Sequence, residues 1–387
     1  VRVKLIDPSA FTPPYDRALA GALAAQGADV ELITSRFVYG PVPAAGGYRV
    51  STDFYRRATA GTADRAGSRR LAKLAAHGPD MLRLRRKLDR APAGPDPLVA
   101  HYQWLTLPGL DRHLISRRRP RVLTAHYVLS PEPSAGELRR ARRLYGSMDA
   151  VVAHSRGGAR RITAEAGIPP ERVRVIPHGS FDHLTRPAKE LPLPAEFGPV
   201  DRKRGPAILF FGLLRPYKGL DLLIEACRAL GPGADGDPVP ELWIAGNPRM
   251  DLSGLKAKAE ALPIPVRWAT RFITDDEIAP LMRTADLLVL PYRDGEQSGV
   301  LYTGIAFGKA MMVSDVGGIG EVAREHGLAR LVTPGDAVEL AAGLEELVTD
   351  PEARSALEGR ATEAAAGSFS WEKIAGQTLE LYRELAS

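Results

Sequence analysis

Apolar residues along this chain fall into short dense runs separated by longer stretches with helical spacing. In the first half the runs VRVKLI, ADVELIT, PLVAH, RVLTAH, DAVVAH and RVRVIPH read as strands, and DRALAGALAAQG reads as the helix between the first two. Such alternation is the signature of a parallel sheet wrapped by helices. The rhythm restarts at AILFFG and continues through LWIAG, VRWAT, DLLVLP, AMMVSD and ARLVT, each followed by a helical stretch. The pattern predicts two doubly wound α/β domains: residues 1–190, a linker rich in proline and charge at 191–205, and residues 206–370. A last helical stretch, WEKIAGQTLELYREL, lies within 371–387 and is placed to pack back on the N-terminal domain.

Composition supports two cores, because 387 residues with 44% apolar content exceed what one core usually holds. No apolar run approaches the roughly 18 residues of a membrane span, and the opening VRVKLIDP reads as a core strand rather than a signal peptide. The expectation is a cytoplasmic protein. Cys227, the only cysteine, sits in the apolar run LDLLIEACRAL and reads as a buried thiol without a catalytic role. Charge is uneven: residues 1–206 carry 35 Lys and Arg against 19 Asp and Glu, whereas the remainder carries 17 against 27. Within the basic half, Met81, Leu84 and Leu88 share one helical face and Arg83, Arg86, Lys87 and Arg90 another. That helix would either meet an anionic membrane or a phosphorylated lipid at the inner membrane face, or cover the N-terminal sheet. The arginine clusters at 117–119 and 139–143 lack interleaved aromatics, so no nucleic-acid partner is expected.

Open parallel sheets hold ligands at the carboxyl ends of their strands. In the second half those positions are 212–218, 246–249, 270–272, 292–299 and 315–318. The first lies in FFGLLRPYKGLDLLIEA, a strand ending at Gly212, a tight loop, and a helix starting near Lys218. Arg215 and Lys218 then stand at a helix N-terminus, where backbone amides already favour an anion such as a diphosphate. Two cations there would stabilise charge growing on a leaving group.

This segment resembles the strand-loop-helix of the family 4 glycosyltransferases in the form F-G-x-x-R-P-Y-K-G. Further landmarks follow in family order: IAG at 244–246, RFITDDEI at 271–278, ADLLVLPY at 285–292, EQSGVL at 296–301, AFGK at 306–309 and SDVGG at 314–318. In the first half TAHYVLSPE, AHSRGGARRI and VIPHGSF resemble further elements of the family. The resemblance implies a GT-B fold, two Rossmann-like doubly wound parallel-sheet domains facing across a cleft. It also implies transfer of a hexose or related sugar, with retention and without a metal or other cofactor, from a nucleoside-diphosphate sugar to an acceptor hydroxyl on a small molecule, saccharide or lipid-linked glycan.

Carried over by residue, Arg215 and Lys218 would hold the diphosphate beside Gly212 and Asn247, while Thr270, Arg271 and Phe272 would meet the base through their backbone. Glu296 would hold sugar hydroxyls. The amides of Gln297, Ser298, Gly299 and Val300 would approach sugar or phosphate, and Thr303 completes the donor set. His126 would face the reacting sugar, either neutral and donating to a hydroxyl or charged and stabilising the diphosphate; Arg215, Lys218, Glu296 and His126 form the catalytic set. Pro14, Tyr15 and Asp16, with His126, are assigned to the acceptor side.

Three departures from the family pattern stand out. No second glutamate closes the E-x7-E pattern, since position 304 is glycine and its neighbour is Thr303. Leu213 replaces the usual arginine after the glycine, leaving Arg215 to supply charge. PSAFTPPYD replaces the glycine pair after the first strand. Asp235 and Asp237 in GADGDP form a D-x-D but sit in a glycine- and proline-rich turn and are not read as a metal site. Two alternatives stay open: a sugar-nucleotide epimerase on the same fold, and a non-catalytic sugar-nucleotide-binding partner.

Overall fold

A computed structural model describes all residues except 39–41, 43, 57–65, 93, 131, 188, 199–204 and 232–238, and describes the backbone alone at 66–70. Asp235 and Asp237 lie outside the described residues. The chain forms two compact units, 1–179 with 371–387, and 180–370.

The first unit holds seven strands, β1 (Arg2–Asp7), β2 (Asp29–Ser35), β3 (Arg49–Phe54), β4 (Leu98–Tyr102), β5 (Arg121–Thr124), β6 (Ala150–Ala153) and β7 (Val173–Val175). All are parallel, in the order β3-β2-β1-β4-β5-β6-β7. Helices α1 (Pro13–Ala25), α2 (Ala66–Arg90), α3 (Pro108–Leu114), α4 (Ala135–Tyr145) and α5 (Arg156–Ala164) connect them. Strand β1 shows why both faces are covered. Val3 and Leu5 pack with Leu19 and Leu23 of α1, while Ile6 belongs to the opposite core with Met81, Leu84 and Leu88 of α2. Met81, Leu84 and Leu88 of α2 are therefore buried against its own sheet, as the second of the two readings given for this helix has it.

The second unit repeats the plan with β8 (Ala207–Phe211), β9 (Glu241–Ala245), β10 (Val266–Ala269), β11 (Leu287–Leu290), β12 (Ala310–Ser314) and β13 (Ala329–Val332), parallel in the order β10-β9-β8-β11-β12-β13. Its helices are α6 (Leu220–Ala226), α7 (Ser253–Glu260), α8 (Asp275–Thr284), α9 (Gly299–Ala306), α10 (Gly317–His326), α11 (Ala337–Thr349) and α12 (Pro351–Ala366). Cys227, just after α6, is fully buried, and burial pushes its thiol up to about 12.

The first unit ends at Gly179, earlier than the 191–205 linker read from sequence, because Leu184 and Phe197 are buried in the core of the second unit. After α12 the chain returns to the first unit as α13 (Trp371–Glu384), where Ile374, Leu379 and Tyr382 join the core around Val3 and Leu5.

Candidate active site

Strand order in the second unit reverses between β8 and β11, so the loops after these strands flank the place where such sheets bind ligands. The ends of β8 and β9 close tightly there. A Cβ at Gly246 (φ 152°) would stand 1.7 Å from the carbonyl oxygen of Gly212, so only glycine permits the approach. Beyond it the Leu214 amide donates to Asn247 O and the Arg249 amide to Leu214 O, tying the two loops together.

Residues 216–218 make a single 3-10 turn, Gly219 is left-handed (φ 71°), and α6 begins only at Leu220. The helix thus starts two residues after Lys218, near which the sequence reading placed it; a Cβ at 219 would meet Pro291 O at 1.9 Å, so glycine alone makes this turn. Asp221 occupies the first turn of α6 and pairs with Arg293 at 2.7 Å, so an acid already serves that helix terminus. Side-chain cations and the start of α9 carry the anion-binding potential instead.

Lys218 is the main cation. It is only 7% exposed, and its Nζ lies 4.8 Å from the centroid of the Tyr292 ring. Among the described residues no carboxylate pairs with it. Burial, with the Arg215 guanidinium adding to it, draws the Lys218 pKa below the usual lysine value. A buried cation without a counter-ion is costly, and a bound anion relieves that cost. A Cβ built on Gly212 would lie 3.2 Å from Lys218 Nζ and 3.0 Å from Val300, which places the ammonium beside the first turn of α9.

That turn has no side-chain cap and no acid; Ser298 Oγ instead lies 3.3 Å from Tyr292 OH. The Gly299 and Val300 amides consequently point to an open helix N-terminus. Glu296 is half-buried in the loop before it, and Gln297 Oε1 accepts a hydrogen bond from Tyr302 OH at 3.0 Å. Arg215 is exposed on the same loop as Lys218.

The residues after β10 divide by role. Arg271 is held by Glu196 and by Glu277, each at 2.7 Å, so its guanidinium is committed to shaping the loop, whereas Phe272 stands 61% exposed and Thr270 is half-buried. Thr303, placed in the donor set from sequence, is 3% exposed, and its hydroxyl donates to Gly299 O at 2.8 Å within α9. Position 304 faces the core: a Cβ there would meet Met311 Sδ at 2.5 Å and Leu288 at 2.8 Å. The missing second carboxylate is thus excluded by packing at this position.

In the first unit, four successive strands bring histidines toward one end: His101, His126, His154 and His178. Sequence reasoning singled out only His126, although the strand runs PLVAH, RVLTAH, DAVVAH and RVRVIPH all end in the same residue, a signal in plain view. Tyr15, 2% exposed, packs against three of them, with ring centroids 4.8 Å from His126, 5.6 Å from His154 and 4.7 Å from His178. Trp104 stacks on His126 at 5.1 Å. Asp16, 1% exposed, has its carboxyl pushed well up by burial and by Asp7, with which it shares a hydrogen bond. Asp7 in turn accepts from the amides of Ser9, Phe11 and Thr12, fixing the loop that replaces the family's glycine pair. Tyr15 and Asp16, assigned to the acceptor side from sequence, therefore support the loop after β1 from beneath; Pro14 is half-buried beside them.

Hydrogen-bond direction fixes the His126 tautomer. His154 Nδ1–H donates to Ile176 O at 2.9 Å, and burial draws His154 down to about 4, so its Nε2 is an acceptor. His126 Nδ1, 3.3 Å from that nitrogen, must carry the His126 proton, leaving Nε2 bare toward Gln103 at 3.2 Å. The buried Gln103 amide nitrogen, which has no partner as placed, satisfies Nε2 once the amide is turned. Burial, followed by the neighbouring histidines, holds the His126 pKa well below its ordinary value. The setting favours the neutral ring, but with Nδ1–H committed to His154 its Nε2 can accept from a hydroxyl and not donate to one, unlike the role read from sequence.

Among the described residues no helix is long and apolar enough to cross a membrane, and no group of three His, Cys, Asp or Glu side chains is placed to hold a metal.

Residues 17–180 match the family described as Glycosyltransferase Family 4, and residues 205–350 match Glycosyl transferases group 1. The chain is 28% identical to alpha-maltose-1-phosphate synthase of Mycolicibacterium smegmatis, across 75% of this chain and 79% of that protein. It is 27% identical to D-inositol 3-phosphate glycosyltransferase of Thermobispora bispora, across 61% of this chain but little more than half, 56%, of that protein. Among solved structures it is similar to sucrose-phosphate synthase from Thermosynechococcus elongatus, with TM-score 0.71, 20% identity and coverage of 99% and 98% of the two chains. It is likewise similar to Anabaena Alr3699/HepE in complex with UDP and glucose, with TM-score 0.68, 20% identity and 99% of each chain covered.

Proposed function

This chain belongs to glycosyltransferase family 4 and has the GT-B fold, and from that premise we propose that it moves a hexose or related sugar from a nucleoside-diphosphate sugar to an acceptor hydroxyl with retention of anomeric configuration. Sugar transfer, rather than the epimerisation or silent binding left open by the sequence, is the class of its named relatives. The observation that carries the donor reading is Lys218, a buried ammonium with no carboxylate partner among the described residues, set beside the uncapped start of α9.

In this reading the diphosphate lies against Lys218 and the Gly299 and Val300 amides, with exposed Arg215 closing on it from the same loop. As the glycosidic bond breaks, negative charge grows on the leaving phosphate, and these fixed positive groups lower the barrier without reorganising. Glu296 holds hydroxyls of the donor sugar. The departing phosphate takes the acceptor proton on the same face, which gives retention with no protein nucleophile. Neutral His126, with Nδ1–H directed to His154, presents Nε2 as an acceptor to a sugar hydroxyl once Gln103 gives way. Thr270 and exposed Phe272 border the base. The UDP held by the solved HepE structure makes UDP-sugars the first donors to try.

The test is turnover of UDP-, GDP-, ADP- and dTDP-sugars with a panel of hydroxyl acceptors, the product's anomeric configuration being read by proton NMR. Arg215→Ala and Lys218→Ala should each lower turnover by about 100-fold. Wild-type rates in both variants, or an inverted product, would overturn the reading.

A further inference from the structure

The short segment after β11, Pro291, Tyr292 and Arg293, packs against both the turn that carries Lys218 and the start of α9. The Pro291 carbonyl lies flush on Gly219, where a Cβ would stand 1.9 Å from the oxygen. The Arg293 amide donates to Tyr217 O at 2.8 Å. The Arg293 guanidinium donates to Pro216 O at 3.1 Å and forks onto Asp221, with Nη1 2.8 Å from Oδ1 and Nη2 2.7 Å from Oδ2. Residues 216, 217, 219 and 221 are therefore all held from one segment, and Lys218 stands among them. A planar fork on a carboxylate fixes direction as well as distance. Both partners are part-exposed, so the pair matters for where it holds the turn more than for stability. The hydrogen bonds from Arg293 keep the Asp221 carboxyl below its ordinary value, and the pair stays ionised across neutral pH.

Tyr292 acts on two groups at once. Its ring, 2% exposed, lies under the Lys218 ammonium at 4.8 Å and meets Tyr217 in a T-shaped contact at 6.2 Å. The electron-rich face attracts the cation. Burial raises the phenol pKa, so the ring stays neutral and offers Lys218 no counter-charge that a bound anion would have to displace.

The Tyr292 hydroxyl reaches the other half of the grip. Ser298 precedes α9 with the extended backbone (φ −142°, ψ 116°) from which a serine ordinarily caps a helix, yet its Oγ makes no hydrogen bond to the α9 amides. That oxygen lies 3.3 Å from Tyr292 OH instead, with both residues buried. One side chain thus steadies the cation with its face and draws the local cap away with its hydroxyl. The Gly299 and Val300 amides are left for a ligand.

We propose that Tyr292 and Arg293 are positioning residues for the donor diphosphate: Arg293 fixes the turn that presents Lys218, and Tyr292 seats the ammonium on its ring while keeping Ser298 Oγ off the first turn of α9. The proposal rests on the donor reading above. It differs from a purely structural role in that each residue affects binding only through Lys218 or through Ser298.

Calorimetry of UDP and of inorganic pyrophosphate with the full chain tests it through double-mutant cycles. Arg293→Ala, at an exposed position, should weaken both ligands about tenfold in the native background and change them by no more than about twofold in Lys218→Met. Tyr292→Phe keeps the ring and removes only the hydroxyl. It should weaken both ligands about fivefold, and when combined with Ser298→Ala, which cannot cap, it should bind as Ser298→Ala alone does. Tyr292→Leu should lose about tenfold more than Tyr292→Phe, and that further loss should vanish in Lys218→Met. Arg293→Ala and Tyr292→Phe decide the matter if Tyr292→Leu does not fold. Native affinity in both of those variants, or losses equally large without Lys218 and without Ser298 Oγ, would overturn the proposal. UDP binding that shows neither coupling would overturn it and leave the donor reading standing, and no binding of either ligand would overturn both. Coupled binding of pyrophosphate by a protein with no UDP affinity would support the proposal while contradicting the donor reading.

Discussion

Lys218 stands at the balance between stability and activity. Its ammonium is nearly buried, rests on the Tyr292 ring, and finds no carboxylate among the described residues. The ring face offsets part of the desolvation cost, but a full counter-charge arrives only with a ligand. Replacing the lysine with an apolar side chain of similar length should therefore stabilise the ligand-free protein. Lys218→Met is expected to gain about 1 kcal/mol, or about 2–4 °C in unfolding midpoint by differential scanning calorimetry. A lower midpoint would mean that the fold, not a ligand, holds the ammonium. His126 shows a related economy: its ring protons are set by His154 and Ile176 O, so a strand end two strands away from the first chooses which nitrogen faces outward.

At the scale of elements, α9 decides how the donor is gripped. Its uncapped start points at Gly212 and Lys218, while its far side is pressed onto Leu288 and Met311. Restoring the family's carboxylate by Gly304→Glu should not improve nucleotide binding. It should instead bury an unpaired acid against apolar side chains and cost on the order of 3 kcal/mol, measured by denaturant unfolding. A variant with wild-type stability and tighter ribonucleotide binding would show that position 304 faces the ligand. The same element explains what the sequence could and could not disclose. Runs such as AILFF and LLVL are buried on both faces and read directly as β8 and β11, and the glycine and cation pattern between them marked the loop that holds Lys218. β3, RVSTDF, escaped notice because it is an edge strand with only Phe54 buried. The break at Gly219 ahead of α6 was not legible, because the left-handed turn there has its cause, the Pro291 carbonyl, more than 70 residues away.

Across the whole molecule, acid sensitivity should be concentrated in the first unit. Burial draws His101 and His178 down to about 3 and His154 to about 4, below the ordinary value near 6.5. The unfolded chain binds protons that the folded chain refuses, so the stability from these groups is complete above pH 6.5 and is lost as pH falls from there toward 4. Each contributes a slope of up to about 1.4 kcal/mol per pH unit in that window. Asp16 and Asp7, whose carboxyls are raised by burial, act in the opposite sense, but as two groups against four, since burial lowers His126 as well. Thermal unfolding should therefore be flat between pH 7 and 8 and drop steadily from pH 6.5 to 5. A midpoint independent of pH over that range would contradict the neutral histidine cluster. The basic excess of residues 1–206 and the acidic excess of the remainder assign opposite charge to the two halves of the chain, yet the nucleotide grip is ascribed to the acidic half, where only a few placed cations act. Titration calorimetry of UDP, GDP, ADP and dTDP into the wild-type chain and Lys218→Met tests whether that half grips the nucleotide. At least one nucleoside diphosphate should bind the wild type, with its affinity reduced by about 100-fold in Lys218→Met; no binding to the wild type, or equal affinity in both proteins, would contradict it.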